Sequence, residues 1–312
     1  MTRNDRYCSV LFLGLGLFVI GQDARAEDSL LQQQVNAALS LMTFTVTPDI
    51  TASNLSINNG GGDTSDLLLT QLGGGATMSD GFPIYLEGNL GFSRYDPQFV
   101  ITRGEETNTF PAKWNTLSAS GGVGWDFDLS EHRVIRPIAN LSLGTVASDL
   151  RIADWVFDHR TSRETAFLEN GRLNAYGLGG SLMLDYELFS ERHDIDAEIR
   201  YSYIHLQSFG STSEVVQGTA DAENLGIYLR RRAPTGLEFL SRPLRYVLEG
   251  ARTEYFGTQR GLLGFDALNS LGVGLEIDSS QYDIIISRTR LVGRYMFGEN
   301  TAGYSMGLAV SF

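Results

Sequence analysis

Arginine and carboxylate side chains recur at every second position in the C-terminal part of the sequence. Arg288, Arg290 and Arg294 share one parity. Glu276 and Asp278 do the same one segment earlier, Arg245 and Glu249 before that, then Arg230, and further back Asp196, Glu198 and Arg200. On an extended chain, residues i and i+2 point to one side, so these charges line one face of successive strands. Two chemistries fit: a charged channel wall that selects solutes, or a lattice of cross-strand ion pairs that fills a narrow interior. The lattice is the better reading. Opposite signs sit on neighbouring segments, and Arg, whose planar fork takes two carboxylates, is used almost to the exclusion of lysine, which occurs only as Lys113. The run Arg230-Arg231-Arg232 falls near a strand end and reads as solvated.

Other chemistry has less support. The four histidines are His132, His159, His193 and His205, and only His159, beside Asp158, lies in a long polar connection. Nucleophilic catalysis needs a base close in space to its nucleophile, and scattered histidines do not supply that, so no catalytic residue is assigned. His193, Asp194 and Asp196, like Asp126 and Asp128, have ligand-like spacing without further ligands, so no metal and no cofactor is expected. Gly122-Val123-Gly124 and Gly272-Val273-Gly274 lie inside extended segments with no helix following, unlike phosphate-binding loops. Glycines on an inner face instead make room for a plug or an opposite wall.

The elements that position these charges alternate with period 2 from residue 43 onward. Leu271, Val273, Leu275 and Ile277 oppose Gly272, Gly274, Glu276 and Asp278. Ile195, Ala197, Ile199, Tyr201 and Tyr203 oppose Asp194, Asp196, Glu198, Arg200 and Ser202. The segments are 43–57, 65–78, 82–95, 114–129, 132–150, 173–190, 193–210, 222–233, 244–257, 268–280, 283–298 and 301–312. They are longer than the usual globular strand of about 5–6 residues. Their polar faces carry charge in mid-strand, and their apolar faces end in Trp125, Phe127, Tyr186, Tyr295, Phe297 and Tyr304, as expected at a lipid–water boundary. The expected fold is all-β: a closed antiparallel transmembrane β-barrel of about 12 strands, or 10 if the interrupted segments 43–57 (Pro48) and 65–78 (Gly73 to Gly75) stand outside it. Connections alternate between long and polar (96–113, 151–172, 211–221, 258–267) and short (79–81, 130–131, 191–192, 281–282). A long turn at 234–243 and a short one at 298–300 break the rule.

Composition bounds the rest. With 312 residues and a net charge of −13, the chain lacks the basic surface that nucleic acid requires. A mean hydropathy of −0.09 excludes a bundle of membrane helices, and 42% hydrophobic residues exclude a disordered chain. Residues 1–26 read as a secretory signal: Arg3 and Arg6, an apolar run from Val10 to Ile20, then Ala24-Arg25-Ala26. Residues 27–42 lack the dyad period and read as a short helix in or at the barrel lumen, capped at Asp28 or Ser29. The barrel is expected at 43–312 in the bacterial outer membrane, as a monomer among outer-membrane lipid and lipopolysaccharide.

The final segment GYSMGLAVSF, the segment SASGGVGWDFDL and its hairpin partner HRVIRPIANLSLG resemble the β-domain of autotransporters, and more closely the solitary autotransporter-type barrels that have no passenger. The likeness covers 43–312. It implies a lumenal helix and an assembly signal at Phe312, Val310 and Leu308, read by barrel-assembly machinery during insertion. In the family the barrel anchors a passenger. Only residues 27–42 stand between the signal and the barrel here, so the expected role is structural or anchoring, or weakly pore-forming. A charged-lumen solute channel and a barrel hydrolase or acyltransferase are the alternatives. Asn58-Asn59 matches the pair at which some members cleave, but it sits in a turn before Gly60.

Overall fold

A computed structural model describes residues 35–47 without 37; 54–58; 66–148 without 80, 97, 104, 105 and 112; 172–209 without 191; 218–278 without 264; and 288–311 without 300. The signal segment, residues 27–34 of the expected helix, His159 and Phe312 lie outside the described residues. One helix, α1 (residues 35–46), is followed by strands β1 (Asn54–Asn58), β2 (Asp66–Ser79), β3 (Phe82–Asp96), β4 (Gln98–Arg103), β5 (Glu106–Pro111), β6 (Trp114–Trp125), β7 (Phe127–Ser130), β8 (Arg133–Ser148), β9 (Arg172–Leu188), β10 (Asp194–Phe209), β11 (Thr219–Phe239), β12 (Arg242–Phe256), β13 (Ala267–Asp278), β14 (Arg288–Gly298) and β15 (Thr301–Ser311).

Every pairing is antiparallel, and the ring closes. β1 joins β15 to β2, through Leu55↔Ser305 and Leu55↔Leu69. On the opposite side β6 pairs with β8 from Trp114↔Ser148 to Gly124↔Ile138. β7 continues β6 past Asp126, so the 13-stranded sheet has twelve wall positions. Closure removes the sheet edges that hydrocarbon would leave unpaired, at several kcal/mol per group. β4 and β5 form a separate hairpin above β3 and β6.

Three sequence expectations are corrected. Residues 43–46 are helical, not the start of a strand, so the first wall strand shrinks to the five residues of β1. The stretch Thr43-Phe44-Thr45-Val46-Thr47 alternates like a strand, but its hydroxyls bond back along the helix: Thr45 Oγ1 donates to Met42 O (2.9 Å) and Thr47 Oγ1 to Thr43 O (3.3 Å). That local satisfaction offsets the poor helix propensity of β-branched residues. The second correction is at 234–243, where no long turn exists. β11 runs to Phe239, β12 starts at Arg242, and Leu240 and Ser241 turn the chain with φ of 50° and 59°, the left-handed pair of a type I′ hairpin. A bulge between Pro234 and Glu238 absorbs the proline. Asn58 ends β1 rather than lying in a turn.

The core lies inside the barrel. Val35, Ala38, Leu39, Met42, Phe44 and Val46 are all buried, on every side of α1, as suits a helix enclosed by protein. They pack on Leu69, Trp114, Val146, Leu173, Leu206, Ala222, Leu268 and Met296 from strands all around the wall. Leu263 and Phe265, from the β12–β13 connection, fold in above them, and Phe44 meets Tyr255 at 5.2 Å between ring centroids.

Candidate functional site: the lumen and its two fillings

The half of the lumen nearer the long connections is occupied by α1. Its C-terminal carbonyls would be orphans in a free helix. Here the wall supplies donors: Gln71 Nε2 to Phe44 O (2.7 Å), Asn89 Nδ2 to Thr45 O (3.0 Å) and Ser118 Oγ to Thr45 O (3.0 Å). Gly91 and Gly144 let the helix come this close. A Cβ at Gly91 would lie 2.8 Å from Thr45 Cβ, and one at Gly144 would lie 2.7 Å from Met42 Sδ.

The half nearer the short turns is crossed by ion pairs. Arg200, on β10, reaches over the lumen to Glu87, on β3, with Nη1 to Oε2 at 2.8 Å and Nη2 to Oε1 at 2.7 Å. Asn140 Nδ2 donates to the same carboxylate (2.7 Å), and Ser181 Oγ to Asn140 Oδ1 (2.8 Å). This is the bidentate geometry that favours Arg over Lys. Arg136 grips Asp126 with two nitrogens, approaches Asp185 at 3.6 Å and stacks 4.0 Å over the Tyr85 ring.

Nearer the turns, Asp194 and Glu276 are the hubs. Asp194 is approached by Arg232 (3.5 Å), Arg245 (2.8 Å) and Arg288 (3.7 Å). Glu276, fully buried, is approached by Arg232 (3.3 Å), Arg245 (3.9 Å) and Arg290 (3.4 Å). Arg230 donates to Asp196 (2.9 Å), Arg294 to Glu249 (2.9 Å) and Tyr228 Oη to Glu249 (2.7 Å). Asp278 forms ion pairs with Arg245 (3.5 Å) and Arg288 (3.8 Å). Of the charges singled out in the sequence, Glu198 alone makes none of these bridges, standing in register with Asp185. Arg232 corrects the reading of a solvated Arg run: it is buried, while Arg231 is exposed on the outer wall. Glu87, Asp126, Arg136, Asp185 and Asp194 complete the lattice. Glu87 and Asp126 share inner-face parity with mid-strand glycines, the signal that could have found them.

The outer wall is the inverse. Leu72, Leu90, Leu117, Val123, Leu141, Leu182, Ile199, Leu229, Leu271, Val273, Leu291 and Met306 point outward and are exposed. Trp125, Phe127, Tyr295, Phe297 and Tyr304 are exposed too, and Tyr186 is half-buried beside His132. Leu308 and Val310 fall in β15. A closed antiparallel ring with an apolar outside and an ion-paired inside is stable only in a bilayer. The protein is a membrane-spanning β-barrel. Its architecture is similar to that of the translocator domain of the autotransporter NalP from Neisseria meningitidis (11% identity, 94% of this chain and 98% of that one, TM-score 0.43). It is similar also to the transport unit of the autotransporter AIDA-I from Escherichia coli (12%, 89% and 99%, 0.46) and to LpxR from Salmonella typhimurium (13%, 83% and 100%, 0.42). No protein-family model matches the sequence, and no curated protein does. Barrel closure is read from strand register and stands independently of these likenesses.

Of the described histidines, His132 and His193 sit at short turns. His205 lies on the outer wall, its Nδ1 2.7 Å from Asp221 Oδ1, with Tyr203 Oη also donating to that oxygen (3.0 Å). Among the described residues no hydroxyl nucleophile is hydrogen-bonded to His205, and no group of three ligating side chains could hold a metal ion.

Proposed function

We propose that the chain is a stand-alone outer-membrane barrel with a sealed lumen, serving a structural or anchoring role. One observation carries the reading: the lumen is filled twice, by α1 in one half and by the arginine–carboxylate lattice in the other. Each filling is tied to opposite sides of the wall. α1 is bonded to β2, β3 and β6 and packs on β12 to β14. The lattice joins β3 to β10 and β10 to β14. A solute filter would instead leave its charges facing a continuous water path.

Planar-bilayer conductance tests this. The intact chain is expected to be silent, and deletion of residues 35–47 alone to leave it silent, since the lattice does not depend on α1. Adding Glu87→Ala, Arg136→Ala and Arg200→Ala to that deletion is expected to open steady ohmic steps. Stable conductance by the intact chain would replace this reading with the solute channel.

A further inference from the structure

On the outer wall, the boundary between apolar and polar positions steps from strand to strand. The last large apolar outward residues towards the long connections are Leu117 on β6, Leu143 on β8, the half-buried Leu225 on β11, and Leu271 on β13. On these four strands the change marks the interface with lipid headgroups, and the exposed rings of Phe209 on β10 and Phe297 on β14 stand above it, as aromatics do at that boundary. Just above that level, β8 and β9 carry the neutral Thr145 and Asn174. The sector from β10 to β13 instead carries His205, Asp221, Glu223, Arg252, Glu254 and Asn269. Among the described side chains, charge at the headgroup level is densest in that sector, with Arg94 on β3 a further exposed charge elsewhere on the wall.

A cleft of about 560 Å³ opens in that sector. Its wall side holds Arg252 and Asn269, its upper side Arg260 and Asp266, and the rings of Phe256 and Phe297 line it. Arg252 spends one N–H from each nitrogen: Nε and Nη2 on Glu254 (3.1 and 2.7 Å) and Nη1 on Asn269 (3.0 Å). Arg260 spends Nε on Asp266 (2.8 Å). A guanidinium has five N–H donors, so both keep donors for a ligand. Both ion pairs are solvent-exposed, and exposed pairs are worth little and exchange easily. Three carboxylates, Glu254, Asp266 and Glu299, line the cleft beside the two arginines and disfavour a bare anion. They suit a ligand that offers hydroxyls to Glu254 and Asp266, a flat face to the phenylalanines and a phosphate to the arginines.

We propose that this cleft binds the phosphorylated sugar headgroup of an outer-leaflet glycolipid. The inference rests on the β12–β13 connection facing the cell exterior and not on the lumen being sealed.

The test uses the full chain refolded into detergent micelles and native mass spectrometry. The probes are lipid A (a phosphorylated, acylated glucosamine disaccharide), the same lipid with its phosphates removed, and soluble glucosamine 6-phosphate. The phosphorylated lipid is expected to bind about tenfold more tightly than the dephosphorylated one, because charge-assisted bonds to phosphate are lost. Arg252→Gln with Arg260→Gln is expected to abolish the preference, whereas Arg231→Gln, elsewhere on the outer wall, keeps it. Equal binding of the two lipids, or a preference that survives the double substitution, overturns the proposal. Glucosamine 6-phosphate that competes at the same concentration as lipid A overturns the lipid as the source of the headgroup. Conductance of the intact chain would sink the sealed-barrel reading and leave this outcome unaffected.

Discussion

At the scale of single residues, the lumen is held by charges that are paired twice or more. Glu87 accepts both Arg200 nitrogens and Asn140, and its side chain and that of Arg200 are less than a tenth exposed. Removing one partner of such a pair strands the other charge in a poorly solvated place. Glu87→Gln is therefore expected to destabilise the barrel by about 3 kcal/mol, read by urea unfolding in liposomes. The double variant Glu87→Gln, Arg200→Gln is expected to cost less than the two single changes added, since the stranded charge is gone. Additive losses would show that the pair is decorative. Arg200 was legible from the dyad period because parity assigns a face. Glu87 was not paired with it, because parity says nothing about which residues meet across a closed ring. The chord from β3 to β10 spans 113 residues of sequence and exists only once the ring has closed.

At the scale of elements, most strand limits from Asp66 onward follow the expected segments within a few residues, because each strand has two chemically distinct faces and a one-residue slip would exchange them. The exceptions are β11, which runs six residues past 233 to Phe239, and the β4–β5 hairpin inside the expected connection 96–113. Reading failed where the solvent on a face was misjudged. Residues 43–47 alternate Thr with apolar side chains, which resembles a wall strand, yet both kinds are buried inside the lumen. A helix satisfies its own backbone there, and Asn89 and Ser118 complete its end. The Leu240–Ser241 turn carries neither Gly nor Asn, so the usual hairpin signal was missing. The fit of α1 can be probed from the wall. Gly91→Val would drive a side chain into Thr45 and Ser118 Oγ, displacing the helix and breaking its end bonds. A loss of about 2–3 kcal/mol is expected. Gly88→Val faces outward, its nearest neighbour Ser120 O at 4.0 Å, and is expected to change stability by less than about 0.5 kcal/mol. Equal effects from the two substitutions would mean that the helix is not seated against β3.

At the scale of the whole molecule, the two ends of the barrel differ, and that difference sets its direction in the membrane. One end has tight connections, at 131–132 and 240–241. The other carries the β4–β5 hairpin and the β12–β13 connection with its 3-10 turn at Gly257–Gln259. Outer-membrane barrels keep short turns in the periplasm and long loops outside, because the loop end must cross the bilayer during insertion and the turn end need not. The only native cysteine is Cys8, which leaves the barrel free for single-cysteine labelling. With a maleimide reagent that cannot cross the outer membrane, Glu299→Cys is expected to label in intact cells. Leu240→Cys is expected to label only after the membrane is permeabilised. The reverse pattern would place α1 and its lid of Leu263 and Phe265 at the periplasmic mouth and the arginine lattice at the outer one. The charged sector around Arg252 would then face the inner leaflet, so the headgroup assignment would fall with the orientation. The closed ring, whose inside and outside do not depend on direction, would stand.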